Sequence, residues 1–207
     1  MIVYLGMPRC ASSWLYNNLK HVETGELVKE PHTLYTVPNN LDDYCTNRVL
    51  DFSTNNWSMD STVAKSIDPY VSNYILIVRN PVDLAVSYKS SFGNRQSLDD
   101  FVSTMIINKL LCFGDIVERW YNLVDANKIH IYSYEELQLN NLKFIDTITK
   151  KLKIAVDLTN IDNKINVSNI KEHADISITN LNILQQQIDK LEKITNQSFN
   201  IAINNLL

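Results

Sequence analysis

The chain lacks the features that would tie it to a membrane, a disulfide framework or nucleic acid. No run approaches the roughly 18 apolar residues that a transmembrane helix needs. The three cysteines (Cys10, Cys45 and Cys112) are widely spaced without a Cys-x-x-Cys pattern, which indicates neither a disulfide framework nor a zinc site. A formal net charge of −4 and a pI near 5.5 argue against a general nucleic-acid or membrane-surface binder.

Linkers and leader signals are also missing. No stretch rich in Pro, Gly or Ser divides the 207 residues, of which 45% are hydrophobic. A chain of this length can bury one core, so we expect a single domain over residues 1–207 with a helical segment from about residue 175. No basic and apolar leader precedes the first strand at Ile2. We therefore expect a cytoplasmic protein.

Short apolar runs alternate with helical patterns along the chain. The runs predict strands at Ile2–Leu5, Glu26–Lys29, Arg48–Phe52, Tyr74–Val78 and Ile129–Tyr132. Helices are predicted to begin at Ser13, Asp60, Val82, Leu98 and Leu142. Because strands separated by helices need right-handed crossovers, we predict an α/β fold with three layers, α/β/α, around a mostly parallel central sheet.

Two further segments have helical spacing. Apolar residues at three- and four-residue intervals predict one long core helix from Leu98 to Val124. Near the C-terminus, Leu181, Leu184, Ile188 and Leu191 follow a/d spacing. This spacing predicts an amphipathic helix that docks either on the body of the chain or on a second subunit as a homodimer.

The first strand leads directly into a loop and a helix start. The loop carries Arg9, and the helix start carries the hydroxyls of Ser12 and Ser13. Backbone N–H groups at a helix N-terminus are unpaired and carry partial positive charge, so a phosphate can bind there. This junction therefore predicts an anion site, in which Arg9 supplies the full charge.

The segment from Tyr74 to Tyr88 repeats this order of strand, arginine and helix. Arg79 ends a predicted strand, Pro81 opens a helix, and Ser87 follows Arg79 by eight positions. Ser87 lies about two helical turns from the strand end, so both side chains can face one phosphate at the sheet edge. Two anion sites predict a ligand with two separated phosphates.

The two junctions resemble the phosphate-binding signatures of sulfotransferases that use 3′-phosphoadenosine-5′-phosphosulfate (PAPS). The family's first signature reads roughly Pro-Lys-Ser-Gly-Thr-Thr-Trp, and this chain has Pro8-Arg9-Cys10-Ala11-Ser12-Ser13-Trp14. The second has an arginine and, eight positions later, a serine, as in Arg79 and Ser87. The resemblance implies a P-loop-like sulfotransferase fold, PAPS as donor, 3′-phosphoadenosine 5′-phosphate (PAP) as product and no metal.

The resemblance also implies roles for individual residues. Arg9 stands where the family has a lysine that contacts the 5′-phosphate and the sulfuryl oxygens. Trp14 stands where the family stacks an aromatic ring on adenine, and Tyr134 resembles a tyrosine that reaches the adenine. Core packing is the alternative for Trp14 and Tyr134. Helix capping is the alternative for Ser12 and Ser13.

The segment Lys29-Glu30-Pro31-His32 resembles heparan-sulfate-type sulfotransferases, in which a glutamate here removes the proton of the acceptor hydroxyl. We take Glu30 as the base, because a carboxylate is ionised near pH 7 and needs mainly the right position. A solvated surface glutamate is the alternative. His32 is the second candidate for the base, since cytosolic members of the family use histidine.

Two positions depart from the family pattern. Ala11 replaces the loop glycine and would fit if the loop stays right-handed. Phe52 stands where heparan-type enzymes carry a lysine, so that cation is missing or supplied elsewhere. We expect sulfuryl transfer to a hydroxyl of a carbohydrate or small metabolite. A non-catalytic nucleotide-binding module and, less favoured, a P-loop kinase are the alternatives, although the kinase loop Gly-x-x-x-x-Gly-Lys-Ser/Thr is absent.

Overall fold

The computed structural model builds its centre from four parallel strands. They are β1 (Ile2–Tyr4), β2 (Leu50–Asp51), β3 (Asn73–Val78) and β4 (Ile129–Ser133), in the order β2-β1-β3-β4. Every neighbouring pair is parallel, and Val3 of β1 is in register with both Asp51 and Tyr74. The structure describes residues 1–23, 29–34, 40–92, 95–161, 176–199, 201 and 203.

Nine α-helices of the described residues connect and flank these strands. They are α1 (Ser12–Leu19), α2 (Leu41–Thr46), α3 (Ser61–Ile67), α4 (Pro81–Phe92), α5 (Leu98–Ile107), α6 (Phe113–Leu123), α7 (Tyr134–Leu139), α8 (Asn141–Leu152) and α9 (Ile178–Thr195). Short polar side chains fix several starts. Asp60, Ser97 and Ser133 each accept a hydrogen bond from a backbone N–H two or three residues further on, which caps the helix that follows.

Helices cover both faces of the sheet. Tyr74 on β3 packs against Trp120 of α6, with ring centroids 5.5 Å apart. Tyr132 on β4 packs against Phe144 of α8, with centroids 5.8 Å apart. Tyr132 is in register with Ile77, three residues after Tyr74, so the two tyrosines point to opposite faces. The predicted three-layer α/β/α fold with a parallel sheet is therefore confirmed.

Four of the predicted strands correspond to β1–β4, with ends that differ by at most two residues. The fifth, Glu26–Lys29, lies outside the described residues except for Lys29. The backbone carbonyl of Lys29 accepts a hydrogen bond of 3.2 Å from the N–H of Phe52, directly after β2. The segment that carries Glu30 therefore runs beside the end of β2.

The single helix predicted from Leu98 to Val124 is wrong, because the structure has two helices there. The chain turns at Lys109, whose φ of 63° is left-handed, and α6 begins at Phe113. The apolar spacing continues through the turn because Leu111 is fully buried in the core as well. Spacing alone therefore did not reveal the break.

The apolar face of α9 docks on the body of its own chain. Leu181, Leu184, Ile188 and Leu191 belong to the continuous core of buried residues. The helix lies so close to α6 that a Cβ on Gly114 would sit 2.6 Å from the carbonyl oxygen of Gln187. Of the two docking alternatives, the structure therefore shows the one within the chain for this face.

Candidate functional site

The loop between β1 and α1 lies over the ring of Tyr4. The Tyr4 hydroxyl donates a hydrogen bond of 2.7 Å to the carbonyl oxygen of Cys10. A Cβ on Gly6 would sit 2.2 Å from the same hydroxyl, so glycine is needed for this close approach. Burial raises the pKa of the Cys10 thiol to about 12. The thiol therefore stays protonated, and Cys10 serves the loop through its backbone.

Two residues of this loop have a left-handed backbone. The φ angle is 70° at Arg9 and 59° at Ala11. The condition that position 11 stays right-handed is therefore not met, and alanine occupies a conformation that costs a residue with a Cβ about 1–2 kcal/mol. Ala11 is also the N-cap residue of α1 and has no side-chain capping bond. Ser12 and Ser13 lie inside the helix, so neither occupies the capping position.

The second junction brings Arg79 against the first. Arg79 is 5% exposed, and its Nη1 donates a hydrogen bond of 3.0 Å to the carbonyl oxygen of Arg9. Its Nε is buried without a hydrogen-bond partner. The exposed side chain of Arg9 donates in turn from Nε to Oγ of the buried Ser87, 3.1 Å away. The two arginines and Ser87 thus form one group, although they are far apart in the sequence.

Aromatic rings flank this group. The guanidinium of Arg79 lies over the ring of Tyr134, 4.4 Å from its centroid, a cation–π geometry. Tyr134 is 2% exposed at the start of α7. Trp14 is also buried, and its ring lies 6.1 Å from that of Phe144. Both candidates for adenine contact therefore pack against protein groups, while Pro8 at the loop remains half-buried.

Glu135 connects the junction to the end of β4. Its carboxylate accepts hydrogen bonds from the Asn80 N–H at 2.7 Å and from the Ser133 hydroxyl at 2.6 Å. Asn80 follows Arg79 directly and caps α4 by accepting from the Val82 N–H at 2.9 Å. These bonds fix the chain on both sides of Arg79.

Glu30 and His32 lie together beside the end of β2. Glu30 forms an ion pair with Lys29, and its Oε2 accepts a hydrogen bond of 3.2 Å from the Thr54 hydroxyl. Nε2 of His32 lies 3.6 Å from the same oxygen. Nδ1 of His32 lies 2.9 Å from Oδ1 of Asn55. Both candidates for the base therefore belong to one polar cluster.

This cluster lies at the same edge of the sheet as the two arginines. Tyr4, which supports the Arg9 loop, stacks on Phe52 with ring centroids 5.3 Å apart. Glu30 is close enough to Tyr4 to affect its pKa. Burial is the main cause that raises the Tyr4 pKa, and the negative charge of Glu30 adds to it. Because the carboxyl ends of parallel strands meet at one edge, the loops after β1, β2 and β3 share this edge.

Phe52 is a core residue in this structure. It is fully buried and packs against the rings of Tyr4 and Tyr16. A charged side chain could not take this place without a large desolvation cost. Among the described residues, Lys29 brings a cation to this part of the site through its ion pair with Glu30, and sequence reasoning did not single it out although it precedes Glu30 directly.

Thr54 and Asn55 were also missed. They follow Phe52 in a segment whose only sequence signal was the departure from the family's lysine. Their contacts with Glu30 and His32 span 24 and 23 residues, and no periodicity marks such a link. Within the part of the chain that the structure describes, no group of His, Cys, Asp or Glu has the geometry of a metal site, and no helix is long and apolar enough to cross a membrane.

Comparison with known proteins gives a consistent result. The sulfotransferase domain family matches residues 2–200, whereas no curated protein sequence matches the chain. A sulfotransferase from Alicyclobacillus acidocaldarius is similar in structure, with a TM-score of 0.67, 13% identity, and 95% of this chain and 96% of that chain covered. Mouse sulfotransferase SULT7A1 complexed with PAP has a TM-score of 0.60 at 13% identity, with 95% of this chain and 84% of that chain covered.

A third similar structure is the sulfotransferase domain of the olefin synthase from Synechococcus PCC 7002. Its TM-score is 0.59 at 13% identity, with 90% of this chain and 93% of that chain covered. At such identities the structures show a shared fold, and the family match over nearly the whole length shows the lineage. With the arginine-lined strand ends described above, these findings make the chain a member of the sulfotransferase family.

Proposed function

We propose that this sulfotransferase transfers the sulfuryl group of PAPS to a hydroxyl of a carbohydrate or other hydroxylated metabolite. The observation that carries the proposal is the burial of the Arg79 guanidinium without an acidic partner among the described residues. Its guanidinium is buried, forms no ion pair with any described residue, and keeps one N–H donor without a partner. A buried charge without an ion-pair partner is costly, so this position fits a bound anion.

The second cation has a different setting. Arg9 is exposed, and its Nε donates a hydrogen bond to Oγ of Ser87. We assign Arg79 and Ser87 to the 3′-phosphate, and Arg9 with the Pro8–Trp14 loop to the 5′-phosphate and the transferred group. The planar fork of arginine suits bidentate contacts with such oxygens. Trp14 and Tyr134 remain our candidates for the adenine side.

Glu30 is the proposed general base. Its Oε1 is engaged by Lys29, whereas Oε2 faces Thr54 and His32. The acceptor hydroxyl would approach Oε2 and give up its proton as its oxygen forms the new bond to sulfur. The bond between sulfur and the phosphate oxygen breaks at the same time, and Arg9 stabilises the charge that develops there. A glutamate base favours carbohydrates over phenols as acceptors.

The donor assignment is tested by a thermal-shift titration with PAP and, in parallel, with ATP·Mg²⁺. Stabilisation follows affinity, so PAP should raise the melting temperature at lower concentration than ATP·Mg²⁺. Preference for ATP·Mg²⁺ would contradict the proposal and favour a kinase. Transfer of labelled sulfate from PAPS to a panel of alcohols then separates an enzyme from a nucleotide-binding module.

The role of Glu30 is tested by Glu30→Gln. The amide keeps the size of the side chain but cannot take the proton, so transfer should fall by about 10²–10⁴-fold while PAP binding persists. Glu136→Gln, at an exposed glutamate on α7, is the matched control and should keep full activity. Unchanged turnover in Glu30→Gln would exclude Glu30 as the base.

A further inference from the structure

The side chain of Asn55 has one contact that its local structure does not require. Asn55 precedes a short 3-10 turn at Asn56–Ser58, and its side chain makes no capping bond there. The backbone carbonyl of Asn55, not its side chain, accepts from Ser58. The side-chain oxygen instead lies 2.9 Å from Nδ1 of His32. This contact therefore acts on His32.

The contact indicates which nitrogen of His32 carries the proton. With Oδ1 of Asn55 facing the ring, the amide oxygen accepts and Nδ1 donates. A neutral imidazole protonated at Nδ1 has its lone pair on Nε2, the opposite of the tautomer that dominates in water. Nε2 is the nitrogen that lies 3.6 Å from Oε2 of Glu30. A nitrogen lone pair thus faces a carboxylate oxygen, and only a proton between the two makes the approach favourable.

The backbone supports this arrangement at a cost. His32 has a φ of 52°, a left-handed conformation that costs a non-glycine residue about 1–2 kcal/mol. Its N–H donates a hydrogen bond of 3.0 Å to Oγ of Ser53, which helps to hold it. Such conformations persist where surrounding contacts determine them, and they cluster at functional sites.

We propose that Asn55 is a positioning residue that fixes the tautomer of His32, so that Nε2 relays the proton from Glu30 to solvent. The inference rests on the proposed function. The proton leaves the acceptor hydroxyl for Oε2 of Glu30 as sulfur is transferred, then moves to Nε2 of His32, and Asn55 stabilises the resulting imidazolium at Nδ1. The His32 side chain is 48% exposed, so water or buffer can take the proton away.

Other charged groups near the pair fit this path. The ammonium of Lys29 lies on Oε1 of Glu30, which leaves Oε2 to receive the proton. Thr54 donates to Oε2 and orients the carboxylate. The distance of 3.6 Å between Oε2 and Nε2 closes to a hydrogen bond with a small side-chain rotation, as is common when a substrate binds.

The test uses two variants of the full chain, Asn55→Ala and Asn55→Asp. Alanine removes the acceptor, whereas aspartate keeps an oxygen at Nδ1 whichever way the side chain lies. Long-range ¹H–¹⁵N NMR reports the protonated nitrogen of each histidine ring, and the spectrum of His32→Gln assigns the signals of His32. We expect protonation at Nδ1 in the wild type and in Asn55→Asp, and at Nε2 in Asn55→Ala.

Steady-state kinetics provide the second readout. Asn55→Ala should lower kcat by about 10–100-fold with little change in the KM for PAPS, because only the proton path is affected. Asn55→Asp should retain most of the wild-type kcat. Unchanged circular dichroism and PAP thermal shifts show that both variants are folded.

The outcomes separate the two levels of the argument. A wild-type His32 protonated at Nε2 and not at Nδ1, or an Asn55→Ala variant with unchanged kcat, would overturn the relay while leaving the proposed function intact. A wild type that binds PAP but transfers sulfate to no acceptor would overturn the proposed function. In that case the NMR spectra still decide whether Asn55 sets the tautomer.

Discussion

Replacing Arg79 with methionine should separate ligand binding from folding. Arg79 is 5% exposed and has no ion-pair partner among the described residues. Without ligand, the substitution loses one charged hydrogen bond to Arg9, worth about 1.5–3 kcal/mol, and one cation–π contact with Tyr134, worth about 1–2 kcal/mol. It also removes a buried charge that has no ion-pair partner among the described residues, and whose desolvation costs several kcal/mol. We therefore expect Arg79→Met to leave the ligand-free stability unchanged or raised.

Arg79→Met should weaken PAP binding strongly, although it does not weaken the ligand-free fold. Two charged hydrogen bonds to a phosphate contribute about 3 kcal/mol or more, which is roughly 100-fold in Kd. At a PAP concentration of 100 times the wild-type Kd, the wild type gains about 2.7 kcal/mol, and a 100-fold weaker variant gains about 0.4 kcal/mol. For a chain of this size these figures correspond to thermal shifts of about 5–11 °C and about 1–2 °C.

Arg119 offers a matched control. Its guanidinium donates 2.9 Å to the Trp57 carbonyl and also to the Met59 carbonyl, and lies over the Trp120 ring at 5.6 Å. Arg119→Met removes the donor to the Met59 carbonyl and leaves the Trp57 carbonyl with the indole N–H of Trp120, so it should lower stability by about 2–4 kcal/mol and keep the full PAP shift. Scanning fluorimetry with and without PAP measures both effects. An Arg79→Met variant that is destabilised without ligand as much as Arg119→Met, and that keeps the wild-type PAP shift, would contradict the assignment of Arg79 to the ligand.

Three further changes test the loop, the docked helix and the acid stability. Ala11→Gly removes the backbone strain of a left-handed alanine and should raise the free energy of unfolding by about 0.5–1 kcal/mol. Its control, Ala64→Gly in α3, should lower the free energy of unfolding by about 1 kcal/mol or more. Urea unfolding measures both. Ile188→Ala in the buried face of α9 should cost about 2–5 kcal/mol in the same assay, against less than about 0.5 kcal/mol for the exposed Ile178→Ala. Burial alone would raise the Asp115 pKa, but hydrogen bonds from neighbouring Lys and Gln side chains outweigh it and lower the pKa to about 2. Asp115→Asn should therefore lower the free energy of unfolding at pH 7. It should also reduce the loss of stability between about pH 4 and pH 2, which circular dichroism can follow.

Each of these tests has a result that would contradict it. A loss of stability in Ala11→Gly equal to that in Ala64→Gly would mean that the loop is not left-handed in solution. An Ile188→Ala variant as stable as Ile178→Ala would mean that α9 does not dock on α6. The sign for Asp115 follows from its lowered pKa: the ionised form stabilises the fold above the ordinary pKa, and this contribution disappears as pH falls towards about 2.

The sequence was sufficient for the sheet and for bringing the two arginine-bearing junctions to one edge of it, but it predicted two separate anion sites and not the hydrogen bond from Arg9 to Ser87. Apolar runs identify the strands, and parallel strands bring their carboxyl ends to one edge, so residues that directly follow two strands must lie close. The break at Lys109 was not predictable in this way. It has neither glycine nor proline, and the turn is stabilised by packing of residues on both sides, which overrides local preference.

The cluster around Glu30 shows a second limit. The contact between His32 and Asn55 depends on how two loops approach each other, and nothing in the spacing of the residues encodes that approach. The left-handed backbone at His32 and Ala11 is likewise set by tertiary contacts and not by residue type. Sequence reasoning therefore proposed candidate groups for the chemistry, but not the neighbours that contact them in the structure.

The two parts of the site, around Arg79 and around Glu30, adjoin strands of different length. Arg79 extends from β3, a strand of six residues that pairs with β1 and β4. Glu30 and His32 depend on β2, which has two residues. Because β2 lies at the edge of the described sheet and pairs with β1, the exposed loops beside it can change to fit new acceptors, while the proposed donor site at the end of β3 is inherited unchanged.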